Sequence, residues 1–379
     1  ELQRMSSRPY RERILDPNDF ASSWESTIIP SIETMMAKHC DYDYSVDVQA
    51  FPELSPEAVP RVIFITTDAS TSAMEDEIAI RLGDIISPKF APVWLKLQQG
   101  GVEKSVHEET TDDEPDRVCE AKNLTYRPVP CIGASIGPEH RREAGTLGGF
   151  LEVGHRRYAV TAFHVLQDSV ANGNLQVQHP APPDVEANPN ADRHRIGQVT
   201  YFAPAGTLRP SLTFQGTNVP ERRSRVEMDW SLFGPVENGE NFVPIPTFDM
   251  KDDVVVEKED FVTGNTEVYA MARTSGYSLG FVSDLPGFQR INGNVHREWS
   301  VRQYVPPNHT GDASLRRQSK KEWIHAGIGV PGDSGAWLMR RSDSAAVGLV
   351  WARNRNRGNP DDCVRLTYFT PIVDVIADV

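Results

Sequence analysis

The sequence predicts a mainly β protein preceded by a small α/β module. From about Tyr126 onward, short apolar runs alternate with Gly, Pro, Asn and Asp, a pattern typical of an all-β barrel or sandwich. The chain contains 27 Gly and 28 Pro, which favours strands and loops over a helical bundle. Its 379 residues are enough for two or three domains.

Residues 1–104 form the predicted α/β module. Apolar residues at helical spacing predict a helix over 18–37, which Pro30 should kink or split. A β-branched run at 61–66 predicts a buried strand, a capping box at 72–75 begins the next helix, and 91–98 predicts a second strand. This order indicates a parallel crossover. The second helix has an apolar face made of Met74, Ile78, Leu82 and Ile85. The module contains no nucleophile, phosphate loop or metal cluster in its sequence, and we interpret it as accessory or regulatory.

An acidic stretch separates this module from the β-rich part. Residues rich in Glu, Asp and Thr stay solvated rather than entering a core, so we predict a linker at 105–125 that is open to proteolytic nicking. A β domain should then occupy 126–379. Its clearest predicted strands are 145–151, 158–162, 267–272, 345–351 and 367–370, and 371–379 should close the chain as a short helix.

Charge and cysteine content narrow the function classes. A formal net charge of −14 argues against nucleic acid as a partner, because phosphate binding needs a basic surface. The cluster Arg353, Arg355 and Arg357 is interpreted as an exposed loop. No stretch approaches the roughly 20 apolar residues of a membrane span, so we expect no membrane association and an intracellular, cytoplasmic location. The cysteines match no zinc or redox motif, and we expect thiols, no metal and no cofactor. They are Cys40, Cys119, Cys131 and Cys363.

The sharpest chemical signal is Gly332-Asp333-Ser334-Gly335. A serine hydroxyl attacks well only when a base removes its proton and donors stabilise the resulting oxyanion. Gly332 lets the backbone turn, so that the N–H groups of Gly332 and Ser334 point at one spot, and Gly335 leaves room for a substrate backbone. A plain surface turn is the alternative, since Gly, Asp and Ser are also turn formers.

Two further segments supply a base and an acid. Residues 158–164 predict a strand that ends in His164, and a strand end holds a general base rigidly. The other histidines mostly lie in polar, loop-like contexts. Asp229 lies at the mouth of an apolar strand, where a carboxylate would orient the imidazole. Asp168 is a rival, but it follows His164 by only four residues and should point away from the ring. Taken alone, His164 and Asp229 are each better explained as structural residues, and the three segments carry weight only together.

The order of these residues and their surroundings resemble a known family. His, Asp and Ser follow one another as in chymotrypsin-like enzymes, whereas other serine hydrolase folds use different orders. Residues 161–164 and 229–232 resemble the Thr-Ala-Ala-His and Asp-Ile-Ala-Leu segments of trypsin-like serine proteases of the chymotrypsin (PA) clan, and 332–335 match their Gly-Asp-Ser-Gly. The likeness covers about 130–379 and is greatest to intracellular fungal trypsin-like domain proteins. It also includes 145–150, 272–276 and 368–372.

The resemblance implies two six-stranded antiparallel β-barrels, with His164 and Asp229 in the first and Ser334 in the second. It implies a serine endopeptidase that cuts protein or peptide substrates through an acyl-enzyme, with His164, Asp229 and Ser334 as catalytic triad. The amides of Gly332 and Ser334 would form the oxyanion hole.

Specificity follows from positions near the serine. Ile328 stands where trypsin-like enzymes set charge preference and offers no counter-charge to Lys or Arg. We therefore expect an apolar or small residue before the cut. Val350 and Trp351 align with the strand that pairs with substrate, and Trp351 is expected to narrow the pocket.

The departures from the family concern activation. The family's cysteines after the histidine and before the serine are absent, which fits a reducing compartment. No Ile-Val-Gly-Gly start exists, so Asp333 is expected to hold its loop through local contacts. Control by the N-terminal module, with a regulatory partner bound there, is a hypothesis.

Two other functions stay open. A catalytically silent, protease-like binding module would keep the fold without the chemistry. An esterase or acyl transferase would use the same three side chains, but Ser334 does not lie in a Gly-x-Ser-x-Gly elbow.

Overall fold

A computed structural model describes most of the chain. It confirms the predicted mainly β fold with a small N-terminal α/β module. Most of the predicted acidic linker lies outside the described residues, as do Arg357, Cys40, Cys119 and Cys363, whereas Cys131 is buried. The described residues are 17–39, 42–52, 59–68, 72–86, 92–105, 123, 126–187, 192–215, 219–245, 254–303, 327–356 and 364–379.

The N-terminal module packs helices against three strands. The strands β2 (Arg61–Thr67) and β3 (Val93–Lys104) are parallel, as the strand–helix–strand order predicts. A further strand that the sequence did not predict, β1 (Tyr44–Ala50), runs antiparallel to β2. A π-helical turn interrupts the first predicted helix directly before Pro30, whose ring and missing N–H disfavour regular helix. In chain order the elements are α1 (Pro17–Ser23), the π-helical turn (Trp24–Ile28), α2 (Ile29–His39), β1 (Tyr44–Ala50), β2 (Arg61–Thr67), α3 (Ser72–Ile85) and β3 (Val93–Lys104).

Alternation along the strands gives this module its core. Side chains of a strand point to opposite faces in turn, so Val46 and Val48 of β1 and Ile63 of β2 face the helices. The predicted apolar face of α3 is buried against them, with Ile85 at its edge. Ser45, Asp47 and Gln49, which alternate with these residues, therefore point away from the helices.

Six antiparallel strands close the first barrel. Its elements are β4 (Ser135–Pro138), β5 (Gly145–Thr146), β6 (Gly149–Val153), β7 (Arg156–Thr161), α4 (Gln167–Ala171), β8 (Gln176–His179), α5 (Pro182–Ala187), β9 (His194–Pro210) and β10 (Arg225–Gly234). Pairing runs β5–β4–β8–β9–β10–β7–β6, and β5 and β6 are the two halves of one strand. Ile136, Leu147, Val177 and Phe233 belong to its buried core.

A second closed ring of six strands follows a small two-stranded sheet. The elements are β11 (Phe242–Val243), β12 (Val254–Val255), β13 (Glu267–Ala272), β14 (Gly276–Val282), β15 (Leu285–Ile291), β16 (Asn294–Gln303), β17 (Trp337–Arg340), β18 (Ala346–Asn356), β19 (Leu366–Pro371) and α6 (Ile372–Asp378). Pairing runs β13–β14–β16–β19–β18–β17 and returns to β13. The predicted closing helix is thus present. None of the helices in the described ranges is long and apolar enough to cross a membrane.

The module's strands join the second barrel directly. β1 pairs with β15, which forms a hairpin with β16, and β3 pairs antiparallel with the far end of β18. Three strands of the module therefore bridge β15 and β18 in one continuous sheet. The face of β1 that points away from the helices meets β19, where Tyr368 Oη donates to Asp47 Oδ2 at 2.8 Å.

This contact gives a pH-dependent stability. Burial raises the pKa of Asp47 to about 7, against which hydrogen bonds from Tyr368, Ser300 and Ser45 act. A carboxyl whose pKa is higher in the folded than in the unfolded chain stabilises the fold fully below the unfolded pKa. That stability is lost as the pH rises through about 7.

Asp47→Asn mimics the protonated carboxyl and should remove this loss. We expect the free energy of unfolding of Asp47→Asn, relative to wild type, to rise by about 2–3 kcal/mol between pH 5 and pH 8, since one pKa unit is about 1.4 kcal/mol. Urea unfolding at both pH values measures it. The exposed Glu237→Gln is the control, and a difference between Asp47→Asn and wild type that does not change with pH would contradict the prediction.

Candidate active site

His164 follows the end of β7 in a 3₁₀ turn over Phe163–Val165. The Asp229 carboxylate holds this turn at two points. Asp229 Oδ1 accepts a hydrogen bond from the His164 backbone N–H at 2.9 Å, and Asp229 Oδ2 bonds His164 Nδ1. The ring is therefore fixed in orientation, with its Nε2 atom facing the second barrel.

The sequence predicted Asp229 at the mouth of a strand, but this residue lies within β10. The pairing with β9 is irregular here: Met228 lies opposite Thr207 and Trp230 opposite Ala203, so the extra residues belong to β9. Asp229 itself follows the alternation of β10 and points away from Met228 and Trp230, which belong to an apolar core. The carboxyl is 1% exposed. Burial alone would raise the pKa of Asp229, but the adjacent His164 imidazole and its hydrogen bonds hold that pKa below its usual value. The carboxylate is thus charged at neutral pH.

Ser334 lies in the loop before β17, and the first barrel holds this loop. Thr146 of β5 donates its hydroxyl to the Gly332 carbonyl at 2.8 Å, and its N–H donates to the Ser334 carbonyl at 2.9 Å. Gly335 has φ +93°, and a Cβ there would lie 2.1 Å from Thr161 Oγ1. The expectation that Gly335 leaves room for substrate is wrong, because the first barrel's own backbone fills that space.

The structure brings the three predicted side chains together. His164 Nε2 lies 2.8 Å from Ser334 Oγ, although 170 residues separate them in the chain. Asp168, the rival acid, is exposed in the first turn of α4 and is not among the ring's bonding partners. Geometry therefore selects Asp229.

The amides of Gly332 and Ser334 converge on one acceptor. Both donate to the carbonyl oxygen of Ser105, at 2.7 and 3.1 Å. Gly332 has φ +99°, a conformation that glycine adopts readily and that turns both amides the same way. The donor pair predicted from the sequence is thus present as geometry, and the end of β3 occupies it.

Asp333 anchors the loop through backbone amides. Its Oδ1 accepts hydrogen bonds from the N–H groups of Thr274 and Ser275, at 3.2 and 3.0 Å, and its Oδ2 accepts one from Gly329 at 3.0 Å. Burial raises the pKa of Asp333, opposed by these hydrogen bonds. The described residues thus supply local contacts of the kind that we expected to hold the Asp333 loop.

The three predicted pocket residues point to different places. Ile328 and Val350 belong to the apolar core of the second barrel. The Trp351 ring packs with Val62 and Phe64 beneath the module, and its Nε1 lies 3.4 Å from Glu298 Oε2. Only the backbone of Trp351 reaches the site, where its carbonyl accepts from Ser105 N–H at 3.0 Å and lies 3.3 Å from Ser334 Oγ.

Sequence reasoning predicted β3 at 91–98 but missed its continuation to Lys104 and its entry into the cleft. The interpretation of Arg353 and Arg355 as a loop is wrong, because both lie on β18, opposite Glu103 and Gly101 of β3. Arg353 is buried, whereas Arg355 is exposed as predicted. Arg353 Nε bonds Glu103 Oε1 at 2.6 Å. Nothing in the local sequence of β3 marks it as a partner of β18, since this pairing joins residues about 250 positions apart.

Two histidines assigned to polar loops are buried in strands. His179 ends β8, and His296 lies in β16 with its Nε2 3.4 Å from Glu227 Oε2. Burial lowers the pKa of both to about 4, so they are neutral at pH 7. Among the described residues, no group of three or more His, Cys, Asp or Glu side chains is arranged to hold a metal ion.

Comparison with solved structures finds serine proteases at low similarity. A glutamic acid specific serine protease gives a TM-score of 0.38 at 12% identity, over 66% of this chain and 97% of that one. Thermobifida fusca protease A gives 0.35 at 13%, over 66% and 96%, and Cellulomonas bogoriensis chymotrypsin gives 0.35 at 14%, over 65% and 94%. No family model and no curated protein match the sequence.

Removing the Asp333 carboxyl should destabilise the serine loop. Asp333→Ala leaves three amides without their acceptor, and each unsatisfied buried group costs about 1–3 kcal/mol, so we expect a loss of about 3 kcal/mol or more in the free energy of unfolding. Urea unfolding measures it, with the exposed Asp168→Ala as control. Equal stability of the two variants would show that the loop does not depend on Asp333.

Proposed function

We propose that the protein is a serine endopeptidase that hydrolyses peptide bonds through an acyl-enzyme. One observation carries the proposal: a buried hydroxyl, imidazole and carboxylate form a continuous hydrogen-bonded chain beside two convergent amides. A structural role does not require a donor pair directed at the same point as the hydroxyl. Acyl transfer requires that arrangement.

Each group has a role in the proposed reaction. Ser334 attacks the carbonyl carbon, and His164 takes the hydroxyl proton and later gives it to the leaving amine. Asp229 holds the ring and stabilises its cation, which its charged state at neutral pH favours. The amides of Gly332 and Ser334 stabilise the oxyanion where Ser105 O now lies.

The surroundings of the site support cleavage after a small or apolar residue. Ser105, whose side chain occupies the acyl side of the cleft, is fully buried and donates its hydroxyl to the Gly329 carbonyl at 2.8 Å. Ile328 precedes that carbonyl, but its side chain lies in the apolar core of the second barrel, so it supplies no counter-charge beside Ser105. A Lys or Arg side chain there would therefore be buried without a counter-charge.

The binding-module alternative is less well supported by the same contacts. The three side chains of the site are buried: Asp229, His164 and Ser334 are each at most 7% exposed. They therefore offer almost no surface to a binding partner, whereas the proposed reaction uses their polar atoms directly. The esterase alternative uses the same groups, and only substrates separate it from the endopeptidase.

A fluorophosphonate probe tests the proposal. Wild type should be labelled during prolonged incubation with excess probe, because the probe must compete with β3 for the cleft, and Ser334→Ala should not be labelled. Peptide and simple ester substrates then separate the endopeptidase from the esterase. Equal labelling of Ser334→Ala and wild type would contradict the proposal.

A matched pair of variants tests the acid. Asp229→Ala should lower peptide hydrolysis by about 10⁴-fold, since a mis-oriented imidazole cannot accept the serine proton. Asp168→Ala, only four residues from His164 in the chain, should leave the rate unchanged. A comparable loss in both variants would assign the effect to folding rather than to the carboxylate.

A further inference from the structure

The end of β3 lies in the cleft as the acyl side of a peptide substrate would. It pairs antiparallel with β18, Lys104 opposite Ala352 and Glu103 opposite Arg353. Ser105 then donates its N–H to the Trp351 carbonyl at 3.0 Å and places its own carbonyl oxygen between two amides. An extended chain that adds to a strand edge in this way is a recurrent mode of peptide recognition.

The register brings the Ser105 carbonyl oxygen to the backbone amide of the residue that carries the reacting hydroxyl. One of the two amides that hold Ser105 O belongs to Ser334, and the same residue carries the hydroxyl bonded to His164. Strand pairing alone would be satisfied by the hydrogen bonds between β3 and β18. It does not require the next residue to enter the oxyanion site with its side chain buried.

We propose that this enzyme cuts its own chain on the carboxyl side of Ser105, and that residues 101–105 define its preferred substrate class. The inference rests on the proposed function. It makes β3 the first substrate and, once cut, an inhibitor that stays in the cleft.

The chemistry balances with water as the only co-reactant. Ser334 Oγ bonds to the Ser105 carbonyl carbon while His164 takes the hydroxyl proton. The bond from that carbon to the Val106 nitrogen breaks as His164 returns the proton to the leaving amine. Water then hydrolyses the ester, giving a Ser105 carboxylate, a new amino terminus at Val106 and the free Ser334 hydroxyl.

The product has reasons to remain bound. β3 is tied by its parallel pairing with β2 as well as by β18, so the cut end stays at high effective concentration near the site. The new carboxylate would face the same two amides that now bind the carbonyl. A substrate must displace this strand end before it enters.

Contacts along the strand define the substrate class. The Glu103 carboxylate bonds Arg353 Nε at 2.6 Å and lies 3.7 Å from Arg355 Nε. The site of the residue two places before Ser105 is therefore basic, while the Ser105 site is small and uncharged. We infer a preference for peptides with a small residue before the cut and an acidic residue two positions further from it.

Intact mass and amino-terminal sequencing test the cleavage. Wild type should yield one fragment that ends at Ser105 and one that begins at Val106, whereas Ser334→Ala should stay whole. The rate should be unchanged over about a hundredfold dilution, because the bond and the nucleophile share one molecule. Ser105→Ala should still be cut, and Ser105→Pro should not, since proline lacks the N–H that Trp351 accepts.

Labelling of the same samples with the fluorophosphonate distinguishes a failure of the self-cleavage proposal from a failure of the proposed endopeptidase function. Ser334-dependent labelling of Ser105→Pro and wild type, without cleavage after Ser105 in wild type, would overturn this inference and leave the proposed function intact. No labelling and no cleavage in any variant would overturn both. Cleavage that slows in proportion to dilution would overturn the intramolecular step.

A peptide pair tests the substrate class with the Ser105→Pro variant. Gly-Val-Glu-Lys-Ser p-nitroanilide should be cut with a kcat/KM about tenfold higher than its Glu→Lys analogue, because hydrogen bonds to charged groups are typically worth that much. Introducing Arg353→Glu should reverse the order. Equal values for both peptides would contradict the assigned basic site.

Discussion

The Asp229 carboxylate and its two bonds to His164 are the constraint on which the rest of the site depends. The carboxylate bonds both the backbone N–H and the ring Nδ1 of His164, which fixes the orientation of the imidazole. Only the Nε2 atom is then available to the second barrel. The alternation of β10 makes this possible, because it points Asp229 away from the apolar core that holds Met228 and Trp230. Burial of the carboxylate is tolerated since the imidazole and the amide satisfy it.

The second requirement is that two barrels meet in a fixed register. Thr146 ties the serine loop to the first barrel, and Gly335 packs so tightly against Thr161 that no side chain fits there. Asp333 holds the other side of the loop through backbone amides. The hydroxyl of Ser334 is therefore positioned by contacts on both sides of the barrel junction rather than by its own loop alone.

The N-terminal module shares in this arrangement. Its strands bridge β15 and β18, and its buried polar face meets the second barrel through Asp47 and Tyr368. A buried carboxyl with a pKa near 7 couples the stability of this junction to pH. Ser105 directly follows β3 of the same sheet and bonds the amides of the serine loop, so the module contacts the site directly in the described structure.

The sequence by itself determined the mainly β class, the position of several strands and the module's parallel crossover, and it singled out the hydroxyl, imidazole and carboxylate that the fold brings together. Periodicity and turn residues encode local structure, and short motifs encode chemistry, so both are readable along the chain. Only the tertiary structure decided that Asp229 lies within β10 beside the His164 turn, that Trp351 turns away from the serine, and that β3 enters the cleft. These features depend on pairings between distant segments, such as Glu103 with Arg353, whose registers no local pattern specifies.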